Sequence, residues 1–242
     1  MRPRHWLRWL LLAIAGLAIL AAAGPFTYIH FFNSTPAALS LSPGNTSGST
    51  PTSTATSAAS ANPVATGSVA GTWTVESGSI VGYRVNEVLL GQSATAVGRT
   101  TSVTGHLTIA VTTVTAATFS VPMATVHSDK SQRDEQFDGR IMDVSQYPTG
   151  TFALTSPIDL APLPADGVIK EYTVHGKLTL HGTTRAVTVT LTAERKGSQI
   201  EVSGDIPVLF ADYDIQNPSF AGFVTTQDHG LLEFLLVFSK GA

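Results

Sequence analysis

The stretch that decides the fold runs His127-Ser128-Asp129-Lys130-Ser131-Gln132-Arg133-Asp134-Glu135-Gln136-Phe137. It continues past Asp143 through Val144-Ser145-Gln146-Tyr147-Pro148-Thr149-Gly150-Thr151-Phe152-Ala153-Leu154. Asp129, Lys130, Arg133, Asp134, Glu135, Asp138, Arg140 and Asp143 crowd into this stretch, in a chain only 13% charged; ordinary soluble proteins carry ~25%. Phe137, Ile141 and Met142 recur at intervals that form one apolar side of a short helix near residues 130–142. Pro148 biases Tyr147 toward extended geometry, so the helix ends before it. Thr151-Phe152-Ala153-Leu154 then resumes an every-second-residue pattern. A charged helical insert in a chain that otherwise alternates with period two points to an all-β domain with one helical plug.

That alternation extends in both directions. Trp73-Thr74-Val75 opens it, and Val81-Gly82-Tyr83-Arg84-Val85 follows. Val103, Gly105, Leu107, Ile109 and Val111 alternate with polar neighbours, as do Phe119, Val121 and Met123. Beyond the helix come Phe152 and Leu154, then Tyr172, Val174, Leu178 and Leu180, then Val187, Val189, Leu191 and Ala193. Ile200, Val202 and Ile206 precede a closing run from Leu231 to Phe238. His181-Gly182-Thr183-Thr184 and Arg195-Lys196-Gly197-Ser198 sit between runs as hairpin turns. About eight strands joined by short turns, each with one apolar face, predict an antiparallel eight-stranded barrel, because closure removes exposed edges. A β-sandwich is the alternative. Small residues at inward positions (Gly105, Gly176, Ala193, Gly204) favour a barrel with room inside.

Upstream, Arg2, Arg4, His5 and Arg8 precede an uncharged run from Trp9 to Phe32. As a helix its 24 residues span ~36 Å, enough for a hydrocarbon core of ~30 Å. The basic flank places residues 1–8 in the cytoplasm and the rest of the chain outside the cell membrane. Ala21-Ala22-Ala23 offers the competing reading, a cleaved signal peptide; either way the body is exported. Residues 33–68 are rich in Ser, Thr, Ala and Pro and free of charge, which predicts a disordered tether before a domain over 69–242.

Several chemistries are set aside. The net charge of -3 and the lack of a basic stripe exclude a nucleic-acid partner. Cysteine is absent, so no disulfide or thiolate metal site forms. The histidines of the body (His106, His127, His175, His181, His229) lack metal-ligand spacing. Asp134/Glu135 and Asp212/Asp214 are the carboxylate pairs nearest to an acid–base arrangement. Arg133 and Asp134 fit better as charge-assisted fastenings of the helix to a neighbouring strand. No nucleophile elbow, phosphate loop or dinucleotide fingerprint occurs, so neither an enzyme nor a cofactor is expected.

The assembled blocks resemble the YceI-like family, exported lipocalin-like barrels associated with polyisoprenoid binding. Trp73-Thr74-Val75 with Gly82-Tyr83-Arg84-Val85 is similar to its first strand. Ser128, Arg133-Asp134, Tyr147-Pro148-Thr149 and Thr151-Phe152 are similar to its central signature. Gly176 to Arg185 is similar to its hairpin, and Asp212-Tyr213 with Ile215 to its late loop. The chain departs from the family at Glu76-Ser77-Gly78-Ser79, where a histidine is common, at Ala186 in place of proline, and at Phe210-Ala211 in place of an arginine. The resemblance implies an apolar chain, of isoprenoid quinone or polyprenol type, threaded into the barrel. The implied lining is Tyr83, Val85, Phe119, Val121, Phe152, Leu154, Phe210 and Phe220, with Phe137 and Ile141 contributed by the helix at the mouth. The competing expectation is an envelope interaction module whose barrel is filled by its own side chains.

Overall fold

The computed structural model describes residues 35–41, 68–89, 91–219 and 224–241. In chain order the elements are β1 (Gly71–Val75), β2 (Ile80–Leu89), β3 (Gln92–Thr100), β4 (Thr104–Ala110), β5 (Thr113–Pro122) and β6 (His127–Ser128). Helix α1 (Ser131–Gln136) follows, widening into a π-type turn over Phe137–Ile141. Then come β7 (Thr149–Leu154), β8 (Ile158–Asp159), β9 (Lys170–Leu180), β10 (Thr183–Lys196), β11 (Gln199–Leu209), β12 (Val224–Thr226) and β13 (His229–Lys240).

Eight strands, in the order β1-β4-β5-β7-β9-β10-β11-β13, form an antiparallel wall that closes where Trp73, Thr74 and Val75 pair with Lys240, Ser239 and Phe238. The expected barrel is therefore the fold, and the sandwich is not. Strand β2 pairs further along the same edge of β13, from Leu231↔Arg84 to Leu235↔Ile80, and β3 and β6 extend from it. The β9–β10 hairpin turns on His181 and Gly182, both at positive φ (47° and 74°), which matches the right-handed strand twist. Register then holds from Leu180↔Thr183 to Ala193↔Lys170.

Two apolar clusters stack along the barrel axis. One, toward the helix, contains Met123, Val126, Phe137, Met142, Val174, Leu178, Val189, Ile206 and Phe210. The other, toward the opposite end, contains Val69, Trp73, Leu107, Ile109, Val114, Leu236 and Phe238. There the Trp73 indole N–H donates to the Val69 carbonyl at 2.8 Å, so the buried ring keeps its one donor satisfied.

Three expectations need correction. Val111 is not an inward strand residue: β4 ends at Ala110, and Val111 sits on the turn at φ 58°, 78% exposed. Its alternation was real, but the chain has already left the wall. Strand β3, Gln-Ser-Ala-Thr-Ala-Val-Gly-Arg-Thr, is absent from the sequence reading because small residues hide its period. Part of the expected tether is also docked. Residues 35–41 lie along the barrel's outer wall, where Pro36, Ala37 and Leu39 carbonyls accept hydrogen bonds from Arg84, Arg99 and Ser203. Residues 1–8 and the apolar run 9–32 fall outside the described residues. Among the described residues no helix is long and apolar enough to cross a membrane.

Candidate ligand cavity

A cavity of about 820 Å³ occupies the barrel between and within the two clusters. Nine of the ten sequence-predicted lining residues face it: Tyr83, Val85, Phe119, Val121, Phe137, Ile141, Phe152, Leu154 and Phe210. The tenth, Phe220, lies outside the described residues. Val174, Leu178, Val189, Leu191, Val202, Ile206, Val208, Leu232 and Phe234 complete much of the wall. Several of these were visible as alternating apolar positions. The closing run, Leu231-Leu232-Glu233-Phe234-Leu235-Leu236-Val237-Phe238, was not phased, because it is apolar on both faces.

The inward glycines do something other than leave space. A Cβ on Gly105 would stand 2.5 Å from the Phe119 ring, and one on Gly204 would stand 2.9 Å from the Phe234 ring. A Cβ on Gly176 would overlap Phe152, and one on Gly98 would overlap Tyr83. Phe119, Phe234 and Tyr83 are direct cross-strand partners of their glycines, while Phe152 reaches its glycine diagonally. Each glycine lets an aromatic ring lie flat against the barrel wall, covering the bare backbone. The rings of Tyr83, Phe119, Phe152 and Phe234 all border the cavity, each close to its glycine. Ala193 does line the cavity, as expected.

The helical plug closes one end. Its Phe137 is buried and stacks on Tyr83, with centroids 5.2 Å apart and planes 17° from parallel. Asp134 Oδ1 accepts from the Ser128 backbone N–H at 2.8 Å and from its hydroxyl at 2.7 Å, tying α1 to β6. Arg133 donates to Asp129 at 2.5 Å and to Glu87 of β2 at 3.2 Å. Burial opposes the charge on Arg133, but Glu87 and then Asp129 outweigh it and hold its pKa above the usual value. Arg140 donates to the Pro218 carbonyl at 3.1 Å and so fastens the plug to the late loop. Burial pushes the Tyr83 phenol up to about 12, keeping it neutral at the mouth.

The hairpin and late loop are joined in the same manner. Arg185 Nε donates to the Asp212 carbonyl at 2.7 Å, and the Thr183 hydroxyl donates to Asp214 at 3.1 Å. His181 Nδ1 donates to the Tyr213 carbonyl at 3.2 Å while its ring meets Tyr147 edge-on. The carboxylate pairs considered for acid–base work are thus divided: Asp134 and Asp214 hold structure. Among the described residues no group of three His, Asp or Glu side chains is placed to hold a metal. The arrangement is a hollow apolar lumen behind a charged, many-bonded cap, suited to holding a long apolar molecule.

The family description "YceI-like domain" matches residues 73–238. Among solved structures, the chain is similar to a polyisoprenoid binding domain from Saccharophagus degradans. The TM-score is 0.58 at 16% identity, over 70% of this chain and 98% of that one. It is also similar to BcnA of Burkholderia cenocepacia, with a TM-score of 0.53 at 21% identity over 67% of this chain and 98% of that one. At these identities the likeness is one of fold. No curated protein matches the chain.

Proposed function

The chain belongs to the YceI-like domain family, and from that premise we propose that it is a membrane-tethered, extracytoplasmic lipid-binding protein holding a polyisoprenoid or similar apolar chain in its barrel. The observation that carries this reading is the apolar cavity of about 820 Å³ behind the helical plug. That volume lies in the upper part of the ~300–1,000 Å³ range of small-molecule sites. At ~0.8 kcal/mol per buried methylene, a chain of about fifteen to twenty carbons gains ~12–16 kcal/mol gross. Association costs of at least ~4 kcal/mol leave enough for micromolar binding, which needs ~8 kcal/mol. The protein is read as a carrier or scavenger and not as an enzyme. The likeness to a polyisoprenoid binding domain supports the ligand class, and the basic flank with the apolar run 9–32 supports the tether.

The test is mass spectrometry of the full chain purified in detergent from a bacterial host, followed by exposure to added polyprenol. A co-purifying polyprenyl-type lipid, or near-stoichiometric uptake of polyprenol, is the expected outcome. Leu191→Lys, which sets an ammonium among apolar walls, should abolish retention while the β-sheet circular dichroism persists. Bare protein that takes up no polyprenol would refute the reading.

A further inference from the structure

Residues 35–41 are strapped to the outer wall of the barrel by hydrogen bonds from three different strands. Alternation along β2, β3 and β13 puts Arg84, Arg99 and Glu233 on the outer wall, on the other side of the strands from Tyr83 and Phe234. Gly82 pairs with both Glu233 and Arg99, and its missing side chain lets the two charges close over it. Arg84 Nε meets Glu233 at 2.5 Å and Arg99 Nη2 meets it at 3.2 Å, with the Glu233 side chain only 5% exposed. Each guanidinium also donates to the 35–41 segment: Arg84 to the Pro36 carbonyl at 2.8 Å, and Arg99 to the Ala37 carbonyl. Ser203, across β13 on β11, donates to the Leu39 carbonyl at 3.2 Å. Two of these three bonds have a charged donor, the stronger kind.

The direction of this strap matters. Pro36 is held at the level of Arg84, opposite Leu231, whereas Leu39 is held at the level of Ser203, opposite Leu235. Strand β13 runs from the plugged mouth toward the far end, so the strap's N-terminal end points to the plug. Upstream, Phe32 closes the apolar run only four residues before Pro36, a connection that reaches at most ~14 Å. From the Arg84 level to the mouth rim at Leu89 is five residues of strand, or ~13 Å along the axis of a tilted wall. From the Leu231 level to the far rim at Lys240 is nine residues, or ~23 Å along that axis. The connection spans the first distance and not the second.

We propose that the strap couples the barrel closely to the bilayer with the helix-plugged mouth toward the lipid surface. The proposal rests on the reading of 9–32 as a membrane anchor. It replaces a tether reach of ~30–35 Å, expected for a free coil of some 35 residues, with one set by four.

The chain has no cysteine, so single labelling sites are clean. Ser131→Cys marks the exposed start of the plug and Val111→Cys the far turn. Each full-length variant, carrying a bimane label, is reconstituted into phosphatidylcholine vesicles containing a headgroup nitroxide lipid. Quenching should be several-fold stronger at position 131 than at 111. Inserting twenty Gly/Ser residues between Ser34 and Thr35, which leaves strap and barrel intact, should erase the difference. Equal quenching in the uninserted chain, or stronger quenching at 111, overturns the proposed orientation while leaving the lipid-binding reading untouched. Failure of the chain to float with the vesicles overturns the anchor and the orientation together.

Discussion

If glycines hold the lumen open by seating aromatic rings on the wall, Gly98→Ala should push one ring off it. Tyr83 stands directly across from Gly98, and its Cζ lies 2.7 Å from where the new Cβ would be. Ordinary contact begins at 3.4 Å, so the ring must retreat by about 0.7 Å at Cζ and further at its nearer edge. Retreat drives it toward Phe137, already stacked at 5.2 Å, or into the lumen. Overpacking of this kind costs ~1–3 kcal/mol, of which reduced unfolded-chain entropy returns ~0.4–1 kcal/mol. The net loss of ~1–2 kcal/mol lowers Tm by ~2–8 °C in a domain of this size. Gly139→Ala, made in the plug where nothing lies within 4 Å, should instead stabilise by ~0.5–1 kcal/mol. The decisive assay is a double-mutant cycle in urea with Tyr83→Ala. With the ring gone the added methyl meets no clash, so a coupling of ~1 kcal/mol or more is expected. If the two changes are additive within ~0.5 kcal/mol, the ring is not what Gly98 accommodates and the wall-glycine argument fails.

Two further outcomes follow from the plug. Burial raises the Asp138 carboxyl pKa above its ordinary value. Its protonated form is therefore favoured on folding, and its contribution to stability is lost as pH rises through the raised pKa. Asp138→Asn should remove that decline, so the variant gains on the parent chain in urea midpoints as pH rises above the ordinary carboxylate value of ~4; a difference that does not change with pH would contradict the assignment. Arg133→Gln leaves Glu87 without its cation at the mouth. A pair of this intermediate burial should cost ~1–2 kcal/mol, with faster release of bound polyprenol in a competition assay; unaltered Tm and release would show the pair holds nothing.

Much of this protein was legible one residue at a time. The helix near 130–142, the alternating strands, the His181-Gly182 turn and the inward aromatic set are encoded in local period and turn chemistry, which survive in a linear string. Arg133 and Asp134 were also readable as fastenings, because charges on a short polar helix need partners close by. The run Leu231 to Phe238 escaped because its outward face is apolar too, so no alternation marks the phase. Strand β3 escaped because alanine, serine and threonine scarcely differ between faces. Gly105, Gly176 and Gly204 pointed to room inside the barrel, but their seating of aromatic rings, and the part played by Gly98, could not be read from the sequence, since a glycine's effect depends on which ring lies near it on the next strand.

Residues 35–41 show the same divide most plainly. Their composition is that of a solvated tether, and nothing in Thr-Pro-Ala-Ala-Leu-Ser-Leu announces a binding partner. What holds them is backbone carbonyls meeting guanidinium groups from β2 and β3, contacts spanning 48 and 62 residues of sequence. Side-chain period is a property of neighbours along the chain and can be read there. Hydrogen bonds from distant strands to main-chain carbonyls leave no trace in residue type, and they exist only once the barrel has closed.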